Sequence, residues 1–267
     1  MLGHCRGACQ VRKVSALIRT HNVQDYLDRC LRSVAWCDEI LVVDDGSTDG
    51  TVDIARQMGA RVVYHPWEGF AAQVNFGSSI AANDWILVID ADEEATPELE
   101  RGVREVLSEP APVEAYRIRR TEMLFGRPLR FGTSGHAHRR LFDRTRASWT
   151  GQFVHGPTQP KASFPILRGR LIHWGANDLR GRLAKIDLYA RMAGEALVES
   201  GARPTPSAAV ARAVCHFLRV YLLRLGFLDG IAGFVDAALY SHYVLSKYLH
   251  AHERWRHAES TRHQDAS

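Results

Sequence analysis

Asp90 and Asp92 stand one residue apart at the end of an apolar run, Trp85-Ile86-Leu87-Val88-Ile89. A short unbroken run with β-branched members suits a strand buried on both faces, as in a parallel sheet. Both carboxylates then sit where a central strand leaves the sheet, the crevice in which open α/β folds bind their ligands. Two anionic groups so close repel each other unless positive charge stands between them. A hard divalent cation takes oxygen ligands and can hold a diphosphate on its other side. The competing reading is a solvated acidic turn that caps a helix starting near Pro97. A second acidic stretch, Asp44-Asp45-Gly46-Ser47-Thr48-Asp49-Gly50-Thr51, follows the apolar run Ile40 to Val43. Carboxylates there suit a ribose or a base, because they accept hydrogen bonds from hydroxyl and imide N–H groups.

The elements that must position these groups alternate. Val14 to Ile18 reads as a strand with a polar end at Arg19, Thr20, His21 and Asn22. Tyr26, Leu27, Leu31 and Val34 follow at helical spacing. After the strand at Ile40, Gly46 permits a tight turn, and Ser, Thr and Asp residues start a helix that Gly59 stops. Arg61 to Tyr64 is a third strand, Phe70 to Ile80 another helix, and the strand ending at Asp90 the fourth. This alternation predicts an α/β fold with a mostly parallel sheet covered by helices. Neither Gly-x-Gly-x-x-Gly after the first strand nor Gly-Lys-Ser/Thr occurs, which counts against a dinucleotide oxidoreductase and a P-loop nucleotidase.

The chain has 267 residues, enough for one large domain with an appended part. A net charge of +4 is too small to argue for nucleic acid. The five cysteines are an odd number in a large chain, so a reduced, cytoplasmic protein is expected rather than a disulfide scaffold. The first thirteen residues lack the apolar core of a signal peptide, and no uncharged apolar run approaches a membrane span.

Beyond the helix expected over Pro97 to Leu107, Tyr116 to Ile118 reads as an edge strand. Residues 119 to 172 are rich in Arg, Gly and aromatics and read as loops and short strands over the open edge of the sheet. Arg139, Arg140 and Arg144 are candidates for phosphate or an anionic acceptor, since guanidinium pairs well with such groups. The chain from Leu179 reads as helical. Ala208 to Leu249 holds two segments too apolar for a solvated face and too charged to cross a membrane, separated by Asp229-Gly230. They read as an interfacial pair on an anionic leaflet, against a hairpin packed on the domain or at a dimer interface. The tail from His252 is charged and expected to be disordered.

The chain resembles the inverting family 2 glycosyltransferases of the GT-A, nucleotide-diphospho-sugar transferase fold. The residues that carry this are Ile18-Arg19-Thr20-His21-Asn22, Val42 to Thr51, Gly59-Ala60 and Asp90-Ala91-Asp92-Glu93. Trp36 to Ile40, Trp67 to Phe70, Arg140-Leu141-Phe142 and Gly226 to Gly230 resemble the branch that builds the lipopolysaccharide core. The resemblance implies a GT-A domain over residues 13–175, with the nucleotide-sugar half at 13–95 and the acceptor half at 96–175. A helical, membrane-associating extension at 176–250 and a disordered tail at 251–267 follow.

It further implies that Thr20, Asn22, Gln73 and Asn75 line the nucleotide-sugar site and that Asp44, with Asp45 beside it, meets the base. Asp90 is expected toward the ribose or sugar, and Asp92, with Asp90, at Mg²⁺ or Mn²⁺. The general base is left open between Glu93, Glu94, His155 and Asp143. The expected partners are a nucleotide sugar (a UDP-sugar by preference), a lipid-linked glycan acceptor and the inner-leaflet surface, with no nucleic acid. The expected reaction moves a hexose, by preference glucose, to the lipopolysaccharide inner core. A polyprenyl-phosphate or other envelope-glycan acceptor and an inactive nucleotide-sugar-binding protein are the alternatives. Two positions depart from the family. Val74 stands between Gln73 and Asn75 where relatives often carry a cation, and His155-Gly156 replaces a His-Glu pair.

Overall fold

The computed structural model describes residues 12–109, 113–149, 164–175 and 179–265, with side chains described to residue 257. The chain forms two compact units, one of residues 1–121 and 136–173, the other of residues 122–135 and 174–267.

In the first unit, strands β1 (Val14–Thr20), β2 (Glu39–Asp44), β3 (Arg61–Tyr64) and β4 (Trp85–Asp90) are parallel to one another. Helices α1 (Gln24–Ser33), α2 (Thr51–Gln57) and α3 (Phe70–Ile80) connect them. The apolar runs read from the sequence are these strands; β1, β2 and β4 are largely buried as expected, whereas β3, at the sheet edge, leaves Arg61 and Tyr64 exposed. Leu87 and Ile89 pack with Ile18, Leu31 and Leu99 on one side of the sheet. Ile86 and Val88 pack with Leu17, Val43, Val74 and Phe142 on the other. Gly46, at φ +106°, makes the turn out of β2 that a side chain would strain. Thr96 caps α4 (Pro97–Ser108), its hydroxyl accepting from the Leu99 N–H, with Pro97 in the first turn.

The sheet continues past β4 in antiparallel fashion. Its order is β3-β2-β1-β4-β8-β6-β9-β5, where β5 is Glu93–Ala95, β6 Ala115–Leu124, β8 Ala137–Asp143 and β9 Ile166–His173. Tyr116 to Ile118, expected at an edge, lies inside β6 between β8 and β9. The loop-rich reading of residues 119–172 underestimated these strands, because Arg residues interrupt the alternation of apolar side chains in β6, β8 and β9.

The second unit takes Glu122–Gly135, including β7 (Arg127–Pro128), together with helices α5 (Leu179–Glu199), α6 (Pro206–Leu218) and α7 (Gly230–Asp265). A π-helical turn at Arg219–Leu223 and a 3₁₀ turn at Gly226–Asp229 join α6 to α7. The tail expected to be disordered from residue 251 is the continuation of α7 to Asp265. Its charged residues are compatible with helix, and charge alone did not reveal that the preceding helix carries through them.

Asp236 of α7 is buried, and Thr133 donates to its Oδ2 at 2.6 Å. Burial pushes its carboxyl up to about 6; Glu122 adds to this, while Thr133 and Arg182 oppose it. A folded pKa above the ordinary 3.8 makes a contribution to stability that is present below 3.8 and lost as pH rises through about 6. Asp236→Asn is therefore expected to stabilise the protein at pH 8 by up to about 3 kcal/mol, since a tenfold change in a proton affinity corresponds to about 1.36 kcal/mol. The gain should close toward zero near pH 4, as read by urea unfolding at both pH values.

Candidate active site

The carboxyl ends of β1, β2 and β4 bring the acidic residues to one edge. The register sets Arg19 beside Asp90 and Thr20 beside Asp44, so consecutive residues of β1 serve the two flanking strands.

Asp44 is an organiser of its own loop. It is 4% exposed and accepts from the Thr20 hydroxyl at 2.8 Å, the Gly46 and Ser47 amides at 3.0 and 2.8 Å, and the Ser47 hydroxyl at 2.5 Å. Burial raises its carboxyl, but the bonds from Ser47, Thr20 and Gly46 more than offset this and hold it below the ordinary carboxylate range. With those oxygens engaged, the base-contacting role expected of Asp44 does not fit. Asp45 points instead to His21, with which it pairs at the mouth of the loop. Asn22, at φ +51°, accepts from the Thr48 amide at 2.8 Å and its own amide donates to the Ser47 hydroxyl, so it too shapes the loop.

Asp90 is not left facing Asp92 across an uncompensated gap. Arg19 pairs with its Oδ1, and Arg140 of β8 donates to its Oδ2 at 2.7 Å. Arg140 also donates to Glu93 at 2.9 Å, and the other Glu93 oxygen accepts from the Asp90 amide at 3.0 Å. Burial pushes the Asp90 carboxyl up, yet Arg140 and Arg19 together hold it well below its usual range. Burial pushes Glu93 up, and Arg140 only partly offsets this. The expectation that a cation must settle Asp90 is corrected: two guanidinium groups do so, and Asp90 is not placed as a metal ligand.

Asp92 differs. Its Oδ2 lies 3.3 Å from Nε2 of His173, and both side chains are partly exposed. β5 pairs with β9 such that Glu93 stands opposite His173, which brings this imidazole to the acidic motif. A carboxylate oxygen and an imidazole nitrogen at that separation can ligate one divalent cation, with diphosphate oxygens and water completing its shell. Among the described residues no cluster of three or more Asp, Glu, His or Cys side chains could hold a metal by itself.

Several expected residues are elsewhere. Asp143 stands opposite Trp85, at the start of β4, where it caps a turn by accepting from Thr145. Five residues of strand separate it from Asp90, about 16 Å at 3.3 Å each, so it is no general base for this edge. Glu93 is 1% exposed and spent in ion pairs, which removes it as a base. Glu94 lines a groove with Asp28 and Arg32 of α1 and Glu100 of α4. Arg139 is buried, donates to the Ser148 carbonyl at 2.9 Å and stacks on Trp149, so neither it nor Arg140 is presented to a phosphate. Arg144 donates to the Ser78 carbonyl and pairs with Asp84.

Gln73 donates to the carbonyls of His65 and Pro66, and Asn75 exchanges two hydrogen bonds with the backbone of Trp149. These bonds tie both residues to neighbouring loops. Val74, 1% exposed, packs in the core, so a cation at this position would be buried rather than presented. His155 and Gly156 lie outside the described residues. Sequence reasoning missed Arg19, whose guanidinium also lies 4.4 Å from the Phe70 ring, and His173. The only signal for either was a charged or titratable residue at the end of an apolar stretch.

Residues 15–160 match the model of Glycosyl transferase family 2. The chain belongs to that family. A glycosyltransferase of Rickettsia bellii is 30% identical over 86% of this chain and 83% of its own length. The lipopolysaccharide core biosynthesis glycosyltransferase LpsC of Rhizobium meliloti is 29% identical over 90% of this chain and 93% of its own. Among solved structures, glucosyl-3-phosphoglycerate synthase from Mycobacterium tuberculosis with Mn²⁺ and UDP is 22% identical, with a TM-score of 0.37 over 43% of this chain and 46% of that one. By the family match the chain is a glycosyltransferase, and its α/β fold, with a parallel β3-β2-β1-β4 half, is the one the resemblance implied.

Proposed function

We propose that this family 2 glycosyltransferase moves a hexose from a UDP-sugar to the inner core of lipopolysaccharide, by one in-line displacement with inversion. The pairing of Asp92 with His173 beside an arginine-clamped Asp90 is the observation that carries the donor side of this reading. The likeness to LpsC along nearly the whole chain supports the acceptor. A divalent cation, Mg²⁺ or Mn²⁺, held by Asp92 and His173 would supply positive charge for the departing diphosphate.

The chain's own residues do the rest. Arg19 and Arg140 hold Asp90 in place at the edge of the sheet, and their charge keeps that carboxylate ionised. Asp45 takes the base-reading role, while Asp44, Thr20 and Asn22 shape the loop that holds it. Glu94 and His155 remain the candidates for proton removal, since burial and ion pairing set Glu93 aside and strand pairing sets Asp143 aside. The acceptor is lipid-linked, so the enzyme works as a peripheral protein on the inner face of the membrane. No helix among the described residues is long and apolar enough to cross it.

A screen of UDP-hexoses with Mg²⁺ or Mn²⁺ tests this, using truncated lipid A–core and polyprenyl phosphate as acceptors and mass spectrometry as readout. One hexose added to the core lipid is the expected result. Transfer to polyprenyl phosphate alone would move the assignment to that acceptor. UDP binding without any transfer or hydrolysis would overturn the proposal in favour of a binding protein.

A further inference from the structure

The turn joining α6 to α7 exposes a group of apolar side chains in the second unit. Leu223 is 81% and Ile231 80% exposed, and Leu222, Leu225, Phe227 and Leu228 stand exposed beside them. A concentrated apolar patch marks a contact surface, whereas scattered exposed leucines do not.

The turn is firmly held. The Asp229 carboxylate accepts from the amides of Arg130 and Phe131, and the Gly132 amide donates to the Arg224 carbonyl at 3.0 Å. Gly233 approaches the Gly226 carbonyl so closely that a Cβ would collide with it. Phe217, Tyr221, Phe227 and Phe234 make edge-on and stacked ring contacts with one another along the same segment. Leu225 sits at φ +58°, a conformation a leucine keeps only where its surroundings impose it. The fold thus commits backbone constraint to holding apolar groups out in solvent.

Charge says what covers them. From Pro206 to Leu249 the acids are Asp229 and Asp236. The first caps the segment at Arg130 and Phe131, and the second is buried against Thr133. Arg212 and Arg219 are exposed along the same segment. An apolar patch with cations around it and its carboxylates turned inward complements an anionic lipid surface.

We propose that this turn is a wedge that seats the protein on an anionic bilayer, with Leu223 and Ile231 entering the acyl boundary and the arginines meeting lipid phosphates. This rests on the reading of a lipid-linked acceptor and names the surface that serves it. The full chain is sedimented with phosphatidylcholine vesicles, with and without phosphatidylglycerol, beside the Leu223→Asp/Ile231→Asp variant. Wild type should partition to the anionic vesicles with at least about tenfold preference, as expected for a few arginines at a charged surface. The double variant should lose about tenfold or more of that binding, given the apolar area withdrawn from lipid.

Equal binding by the two proteins, or none by wild type, overturns the proposal. So does a wild-type dimer in vesicle-free buffer that the double variant converts to monomer, which would give the patch to a second copy. Metal-dependent UDP-sugar hydrolysis without vesicles is read in parallel. It reports on the catalytic reading alone and should be unchanged in the double variant.

Discussion

Replacing Asp92 by alanine is expected to cut sugar transfer about a thousandfold, the effect of losing about 4 kcal/mol of charge stabilisation from a metal-assisted leaving group. Folding should be nearly unaffected, because Asp92 is partly exposed and pairs with a partly exposed imidazole at 3.3 Å. This contrast separates Asp92 from Asp90, whose carboxylate is tied to two arginines. His173→Ala should raise the Mn²⁺ concentration needed for half-maximal rate by about tenfold or more, whether it ligates the ion directly or orients Asp92. The measurement is the initial rate against metal concentration for wild type and both variants, with far-UV circular dichroism as the folding check. An Asp92→Ala enzyme that retained wild-type rates would remove the metal-holding role. A metal titration unmoved by His173→Ala would reduce that imidazole to a structural neighbour.

How much of this could be read from the chain follows from the distance over which each feature is decided. The strands ending at Thr20, Asp44 and Asp90 were legible because burial on both faces demands unbroken apolar runs, and those runs end in polar residues at the sheet edge. The loop after β2 was legible for the same local reason, since Gly46 has the backbone freedom the turn needs and the Asp44 and Asp49 carboxylates accept from the Ser47 and Thr51 amides close by in sequence.

The features that were misread depend on strand direction and pairing far along the chain. Asp143 looked close to the chemistry until antiparallel pairing of β8 with β4 carried it to the opposite edge. That same pairing brings Arg140, fifty residues away in sequence, onto Asp90. His173 reaches Asp92 through the pairing of β9 with β5. Repulsion between two carboxylates correctly signals that positive charge is required. It does not say whether an ion or a guanidinium supplies it.

Arg140→Met should therefore be the most destabilising substitution at the site, with an expected loss of about 3–5 kcal/mol, the usual cost of removing one partner of a buried ion pair. Arg140 is 7% exposed, and its guanidinium is shared by Asp90 and Glu93 at 2.7 and 2.9 Å. The loss should depend on pH. In the wild-type fold the Asp90 carboxyl lies below its ordinary 3.8, so its contribution to stability is present above 3.8 and disappears as pH falls through the folded value. Glu93 lies above its ordinary 4.5, so its contribution is present below 4.5 and lost as pH rises through the folded value.

Without Arg140 both carboxyls rise, and protonation then relieves the buried charge. The deficit should be largest at pH 8 and shrink toward pH 4.5. Urea unfolding at those two pH values checks this. Adding Glu93→Gln to Arg140→Met should recover part of the loss at pH 8, because one of the stranded anions becomes neutral. An equal deficit at both pH values, with no recovery in the double variant, would mean that Arg140 acts through packing of its alkyl stem rather than by neutralising the acidic motif.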